Sequence, residues 1–156
     1  MARQRRLSFS EAVNATPEIQ NCHQAGLQAI PQSDRSKISL YDTRACEGSV
    51  DIDTCLTSRY PSDNRWDYCF CYKGEVFFVE VHTANSREIS TVIRKLTWLK
   101  NWLNSQAPEI NKLKAKNVTP YYWLQSSGYS IPARSRHYRE AERAGILPIP
   151  RLELKH

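Results

Sequence analysis

The 156-residue sequence predicts a single α/β domain, with a central mixed β-sheet flanked by helices. Three observations predict it. Two β-rich runs, residues 66–72 and 75–82, flank the dipeptide Lys73-Gly74, which reads as a two-residue hairpin turn. A helix-periodic stretch at 86–104 follows, in which Ile89, Val92, Ile93, Leu96, Leu99 and Leu103 form one apolar stripe. A further β-rich run at 118–124 carries Tyr121, Tyr122 and Trp123.

The other elements read in order. Residues 9–13 form a short helical lead-in. Thr16-Pro17-Glu18 then signals a helix start, with a hydroxyl cap, a proline at the first helical position and an acid in the first turn. That helix is expected to place Ile19, Cys22, Gly26, Leu27 and Ile30 on one face and to end at Pro31. Residues 32–45 are a polar connection with a short strand at 38–41. Residues 50–55 alternate and read as a strand. Residues 108–116 form a basic, irregular connection. Pro132 opens a last helix that Gly145 stops, and residues 146–154 form an edge strand, where Pro148 and Pro150 are tolerated. The expected order is helix, three strands, helix, strand, helix, strand: an αβββαβ core at about 10–125, with a basic C-terminal helix and strand at 130–154.

Composition sets the outer limits. Apolar residues make up 40% and charged residues 24%, which excludes a membrane-embedded or disordered chain. No apolar run approaches the ~20 residues of a membrane-spanning helix. The basic N-terminus runs into Leu7-Ser8-Phe9-Ser10-Glu11, where a signal peptide needs an apolar stretch. A cytoplasmic protein with five reduced cysteines is therefore expected. The net charge of +6 is unevenly spread. Residues 1–78 carry 9 Lys/Arg and 10 Asp/Glu, a balance of −1, whereas residues 79–156 carry 13 and 6, a balance of +7. A polyanionic partner approached by the second half, or simply a solvated basic surface, accounts for the split.

The hairpin has a consequence for chemistry. With Lys73-Gly74 as the turn, Tyr72 faces Glu75, Asp67 faces Glu80 and Arg65 faces His82. One face then carries Trp66, Tyr68, Phe70, Phe77, Val79 and Val81, a core face. The other carries Arg65, Asp67, Cys69, Cys71, Val76, Phe78, Glu80 and His82. Two carboxylates directly opposite repel each other, with Cβ atoms ~5 Å apart. A proton, Arg65 or a divalent cation has to offset that repulsion.

The pattern of an Asp on one strand and Glu-x-Lys on the next, inside a helix–strand–strand–strand–helix–strand order, resembles the PD-(D/E)xK nuclease superfamily. The resemblance covers roughly residues 10–125 and implies a restriction-endonuclease-like fold. It implies that Asp67 and Glu80 bind Mg²⁺ or Mn²⁺, that Val81 adds its backbone carbonyl, and that Glu11 or Glu18 on the first helix completes the acidic set. The chain departs from the pattern at His82, which stands where the superfamily has Lys. His82, or Lys95 reaching over the sheet from the following helix, is expected to handle the attacking water and the developing charge.

Three further groups stand out. Arg134, Arg136, Arg139 and Arg143, with Tyr138, suit phosphate contacts and base stacking, although Glu140 and Glu142 partly neutralise them. Ser126-Ser127-Gly128 offers backbone amides to a phosphate. Trp98 and Trp102 lie off the main stripe and mark either a homodimer or partner-subunit surface or a site covered by another segment. The expected function is a metal-dependent nuclease acting on nucleic acid, with DNA as the substrate. The alternatives are a non-catalytic nucleic-acid- or partner-binding module on a degenerate nuclease fold, and an interaction protein working through Trp98 and Trp102.

Overall fold

The computed structural model describes residues 5–156, so Met1 to Gln4 of the basic N-terminus lie outside it. Five strands form the main sheet in the order β2-β3-β4-β5-β6. Strands β2 (Cys46–Asp51), β3 (Tyr68–Tyr72) and β4 (Glu75–Asn85) are antiparallel. Strands β5 (Tyr121–Ser130) and β6 (Pro148–Ile149) add in parallel. Helix α4 (Ile89–Ser105) crosses between β4 and β5, as a parallel connection requires. With α1 (Phe9–Asn14) the core order is αβββαβ, followed by α6 (Arg136–Arg143) and β6. The result is a single α/β domain with a mixed sheet. Among the described residues no helix is long and apolar enough to cross a membrane.

Both faces of the sheet are buried. On one face, Cys69, Cys71, Val76 and Phe78 join the stripe of α4 (Ile89, Val92, Leu96, Leu99, Trp102 and Leu103) in the main core. Helix α1, the short α3 (Ile52–Leu56) and α5 (Pro108–Lys112), and α6 contribute to this layer. On the other face, Tyr68, Phe70, Tyr72, Phe77 and Val79 form a second core with Ile30, Ile38 and Leu152. This face is closed by a two-stranded parallel ladder of β1 (Ile38–Leu40) and β7 (Leu152–Leu154). The face expected to be the core face is thus the smaller core. Trp66 belongs to the main core instead, because β3 begins only at Tyr68 and Trp66 donates its indole N–H to the Tyr68 carbonyl.

The hairpin forms in the expected register, with Tyr72 opposite Glu75 and Tyr68 opposite Val79. Its turn places Lys73 at φ 50° and Gly74 at φ 80°. Positive φ at both central positions matches the twist of the flanking strands, and glycine adopts it without a Cβ clash.

Several elements differ from expectation. Residues 16–30 form turns, not a helix. The Thr16 hydroxyl donates back to the Ala12 carbonyl and closes α1, so it does not cap a new helix. Gly26 at φ 51° and a Gln24–Ser49 bridge to the edge of β2 hold the segment in a non-helical path. The helix start that does form is Ser8, whose hydroxyl accepts the Glu11 N–H while Glu11 reaches back to the Ser8 N–H. The strand expected at 50–55 lies earlier, at 46–51. Asp51 ends it by accepting the Thr54 N–H and hydroxyl, which caps α3. The irregular 108–116 connection contains α5. The last edge strand splits, with β6 pairing β5 and β7 pairing β1. A short helix, α2 (Gln32–Arg35), precedes β1.

The cysteines are not all reduced. Cys22 and Cys55 form a disulfide that ties the 16–30 segment to α3, while Cys46, Cys69 and Cys71 are free.

Candidate active site

The site is built where the hairpin stops being a hairpin. The β3–β4 ladder ends at Tyr68 opposite Val79, while β4 runs on to Asn85. Backbone groups past that point need new partners. Side chains supply them. The Val81 N–H donates to Asp67 Oδ2 at 3.0 Å, and the Asp67 N–H donates to Glu80 Oε1 at 3.1 Å. Asp67 and Glu80 therefore meet as the hairpin pairing predicts. An N–H and C=O of one strand residue point to the same side, so the Val81 carbonyl also turns toward Asp67.

Helix α4 lays Lys95 over this pair. The Lys95 ammonium donates to Glu80 Oε2 at 2.6 Å and stands 3.9 Å from Asp67 Oδ1. Glu80 is fully buried, at 0% exposure. His82 shares its face: Nδ1 lies 3.3 Å from Glu80 Oε2 and Nε2 lies 2.7 Å from Glu88 Oε2. Glu88 ends the 3₁₀ turn Ser86–Glu88 between β4 and α4.

The electrostatics follow from this packing. Burial, and then the charge of Glu80, push the Asp67 carboxyl up to about 8, with Lys95 only partly opposing. The repulsion expected between the carboxylates is thus met by a proton on Asp67 and by Lys95. Arg65 takes no part, because its guanidinium pairs with Asp53 at 2.9 Å. Burial works against the charge on Lys95, but Glu80 and Asp67 outweigh it and raise its pKa above the ordinary value. The hydrogen bond from Glu80 raises His82 against burial, and Glu88 adds to the effect.

Among the described residues no group of three or more His, Cys, Asp or Glu side chains is arranged for a metal ion. Two carboxylates and a carbonyl remain, which suits a hard cation that keeps several waters, as Mg²⁺ does.

Other expected site residues lie elsewhere. Glu11 is occupied at the start of α1, where it closes the capping box and pairs with Arg5 at 2.8 Å. Glu18 accepts from the Tyr60 hydroxyl and the Trp102 indole and pairs with Arg59. Neither joins the metal set. Trp98 and Trp102 stack on each other, with centroids 5.9 Å apart, and are covered by this chain's own 60–63 segment and Glu18. Trp102 is buried, whereas Trp98 is half-buried. Arg134, Arg136, Arg139 and Arg143 are exposed on and just before α6, which packs against α4. Arg136 faces Glu140 at 3.4 Å. Tyr138 is half-buried against the main core, whereas Tyr129 is 46% exposed. Ser126 to Gly128 lie within β5, at the register shift where the β4 pairing jumps from Gln125 to Tyr129.

Sequence reading missed Glu88 and the Asp53–Arg65 pair. The Asp53 N–H donates to the Asp67 carbonyl at 3.2 Å, which seats α3 behind the site. The available signal for Glu88 was its position between the hairpin and the helix stripe, beside a histidine.

No family model, curated protein or solved structure matches this chain.

Proposed function

We propose that this domain is a metal-dependent nuclease that hydrolyses phosphodiester bonds in DNA, with a restriction-endonuclease-like fold of the PD-(D/E)xK type. One observation carries the reading: the half-buried Asp67 and Lys95 converge on the fully buried Glu80 at the open end of a hairpin inside an αβββαβ core. A carboxyl raised by burial beside a like charge, as Asp67 is, marks a functional-site candidate.

Asp67, Glu80 and the Val81 carbonyl would hold Mg²⁺ or Mn²⁺. When bound, that ion polarises a phosphoryl oxygen and acidifies water. Lys95 sets an ammonium beside the carboxylates, where it balances charge developing on the phosphate. Both His82 ring nitrogens face carboxylates, so neither is free to take a proton from water. His82 thus serves charge stabilisation, and Lys95 takes over the role of the superfamily's strand lysine. The exposed arginines around α6 supply sequence-independent phosphate contacts. A cytoplasmic setting belongs to the same proposal, and there the Cys22–Cys55 bridge would be open to reduction.

The second reading is a non-catalytic binding module. It is favoured by the full engagement of Glu80, whose Oε1 and Oε2 already accept from Asp67, Lys95 and His82.

Incubation with plasmid, single-stranded DNA and RNA in Mg²⁺ or Mn²⁺ separates the two. The nuclease reading expects cutting of DNA that Asp67→Ala and Glu80→Ala each reduce by about a hundredfold or more. Salt-dependent binding with no cutting that these substitutions remove leaves the module.

A further inference from the structure

The second face of the sheet holds a cavity that the nuclease reading does not use. Its volume is about 690 Å³, within the range of small-molecule sites. It lies at the hairpin's turn end, five residues from Asp67 along β3, or roughly 17 Å at strand rise. It also opens on the opposite face, since Tyr72 and Phe77 belong to the second core while Glu80 faces α4.

The lining has two tiers. Tyr72, Phe77, Tyr122 and Leu152 form an apolar floor. Its rings are fixed: Phe77 stacks on Phe70 at 5.5 Å between centroids and tilts against Tyr122 at 6.3 Å. Above them stand Lys73 and Arg151. Lys73 is held by the turn, with its ammonium 5.5 Å from the Tyr72 ring. Among the described residues neither Lys73 nor Arg151 has a carboxylate partner, whereas Lys155 on the same rim stands 3.8 Å from Glu153. Two unpaired cations over an aromatic floor call for a ligand with a flat apolar body and an anionic group. Asn117 and Glu75 also reach the cavity. An amide and a carboxylate suit the polar edge of a nucleobase that carries an exocyclic amine. A carboxylate at that place disfavours a purely aliphatic anion, which has no donor to offer it.

We propose that this cavity binds a nucleoside monophosphate, with the base against Tyr72, Phe77 and Tyr122 and the phosphate on Lys73 and Arg151. The site stands apart from Asp67 and Glu80 and does not depend on the nuclease reading.

The test is isothermal titration calorimetry of the whole protein with adenosine 5′-monophosphate, adenosine, inorganic phosphate and dodecanoate. The expected result is one saturable site for the nucleotide, at least tenfold tighter than for adenosine or phosphate. Lys73→Asn with Arg151→Gln is expected to weaken it at least tenfold while the melting temperature holds. Asparagine tolerates the positive φ of the turn, so the fold survives the loss of charge. Asp67→Asn is expected to bind the nucleotide as the unaltered protein does. The proposal is overturned by no saturable nucleotide binding, by nucleotide affinity no better than that of phosphate, or by full binding in the double variant. Tighter binding of dodecanoate than of the nucleotide overturns the assignment to an aromatic ligand.

Discussion

The two ends of the β3–β4 hairpin obey different rules. At the turn end, local preference and global fold agree: Lys73-Gly74 takes the conformation a tight turn demands, and Cys71, Val76, Tyr72 and Phe77 are buried around it. At the open end they conflict. Two acids face each other, one of them fully buried; Glu80 accepts the Asp67 N–H, and Asp67 accepts the N–H of Val81. Conflict of this kind persists where function requires it. The turn end is built for stability, and the proposed chemistry lies at the open end.

Substitutions test that separation. The largest effect belongs to the open end. Lys95→Met is expected to cost about 4 kcal/mol in urea unfolding at pH 7, because it leaves Glu80 buried without its closest cation. Adding Glu80→Gln should restore part of that loss. If the two losses simply add, Lys95 and Glu80 are not coupled. Reduction of Cys22–Cys55 comes next, at about 3 kcal/mol for a bridge between residues 33 apart in sequence. Thermal melts with and without a thiol reductant measure it. It weakens the open end by freeing the segment tied to α3. At the turn end, Gly74→Ala is expected to cost about 1–2 kcal/mol through its positive φ, with DNA cleavage unchanged. A change in cleavage would mean the ends are not separate.

The remaining effect has the opposite sign. Folded Asp67 keeps its proton up to about 8, whereas the unfolded chain releases it near the ordinary value of 3.8. Between those values the folded state binds more protons, so stability falls as pH rises from about 4 to about 8. Asp67→Asn removes that contribution. It is expected to melt clearly higher than the unaltered protein at pH 8, and to match it near pH 4. A variant that gains stability and loses cleavage is the signature of a residue kept for chemistry. A lower melting temperature at pH 8 would mark Asp67 as structural.

The turn end and its register were legible because the sequence states them locally: a two-residue turn, β-rich flanks and strict alternation. The pairing of Asp67 with Glu80 followed from that register, and the approach of Lys95 followed from helical spacing. Glu11 was misplaced because the acidic signal of a helix start serves equally for capping, and here the capping box takes it. The 16–30 helix failed because Thr16-Pro17-Glu18 also reads correctly as the end of α1, and only the Gln24–Ser49 bridge and the disulfide decide between them. Tertiary partners of that kind leave no local mark. The sequence left two readings of Trp98 and Trp102 open for the same reason, since the 60–63 segment that packs on them lies far away in sequence.

The β1–β7 ladder sets a condition on how the molecule is made. It pairs Ile38 with Leu152 and Leu40 with Leu154, so the second core is sealed by residues about three quarters of the chain apart. Such non-local pairing forms late, after its loop-closure cost has been met. During synthesis, the helix-covered layer has its α1-to-α4 parts in hand long before Leu152 leaves the ribosome. Until then Phe70, Phe77 and Val79 face solvent on a nascent sheet, and the last strand to emerge is the one that protects them from aggregation.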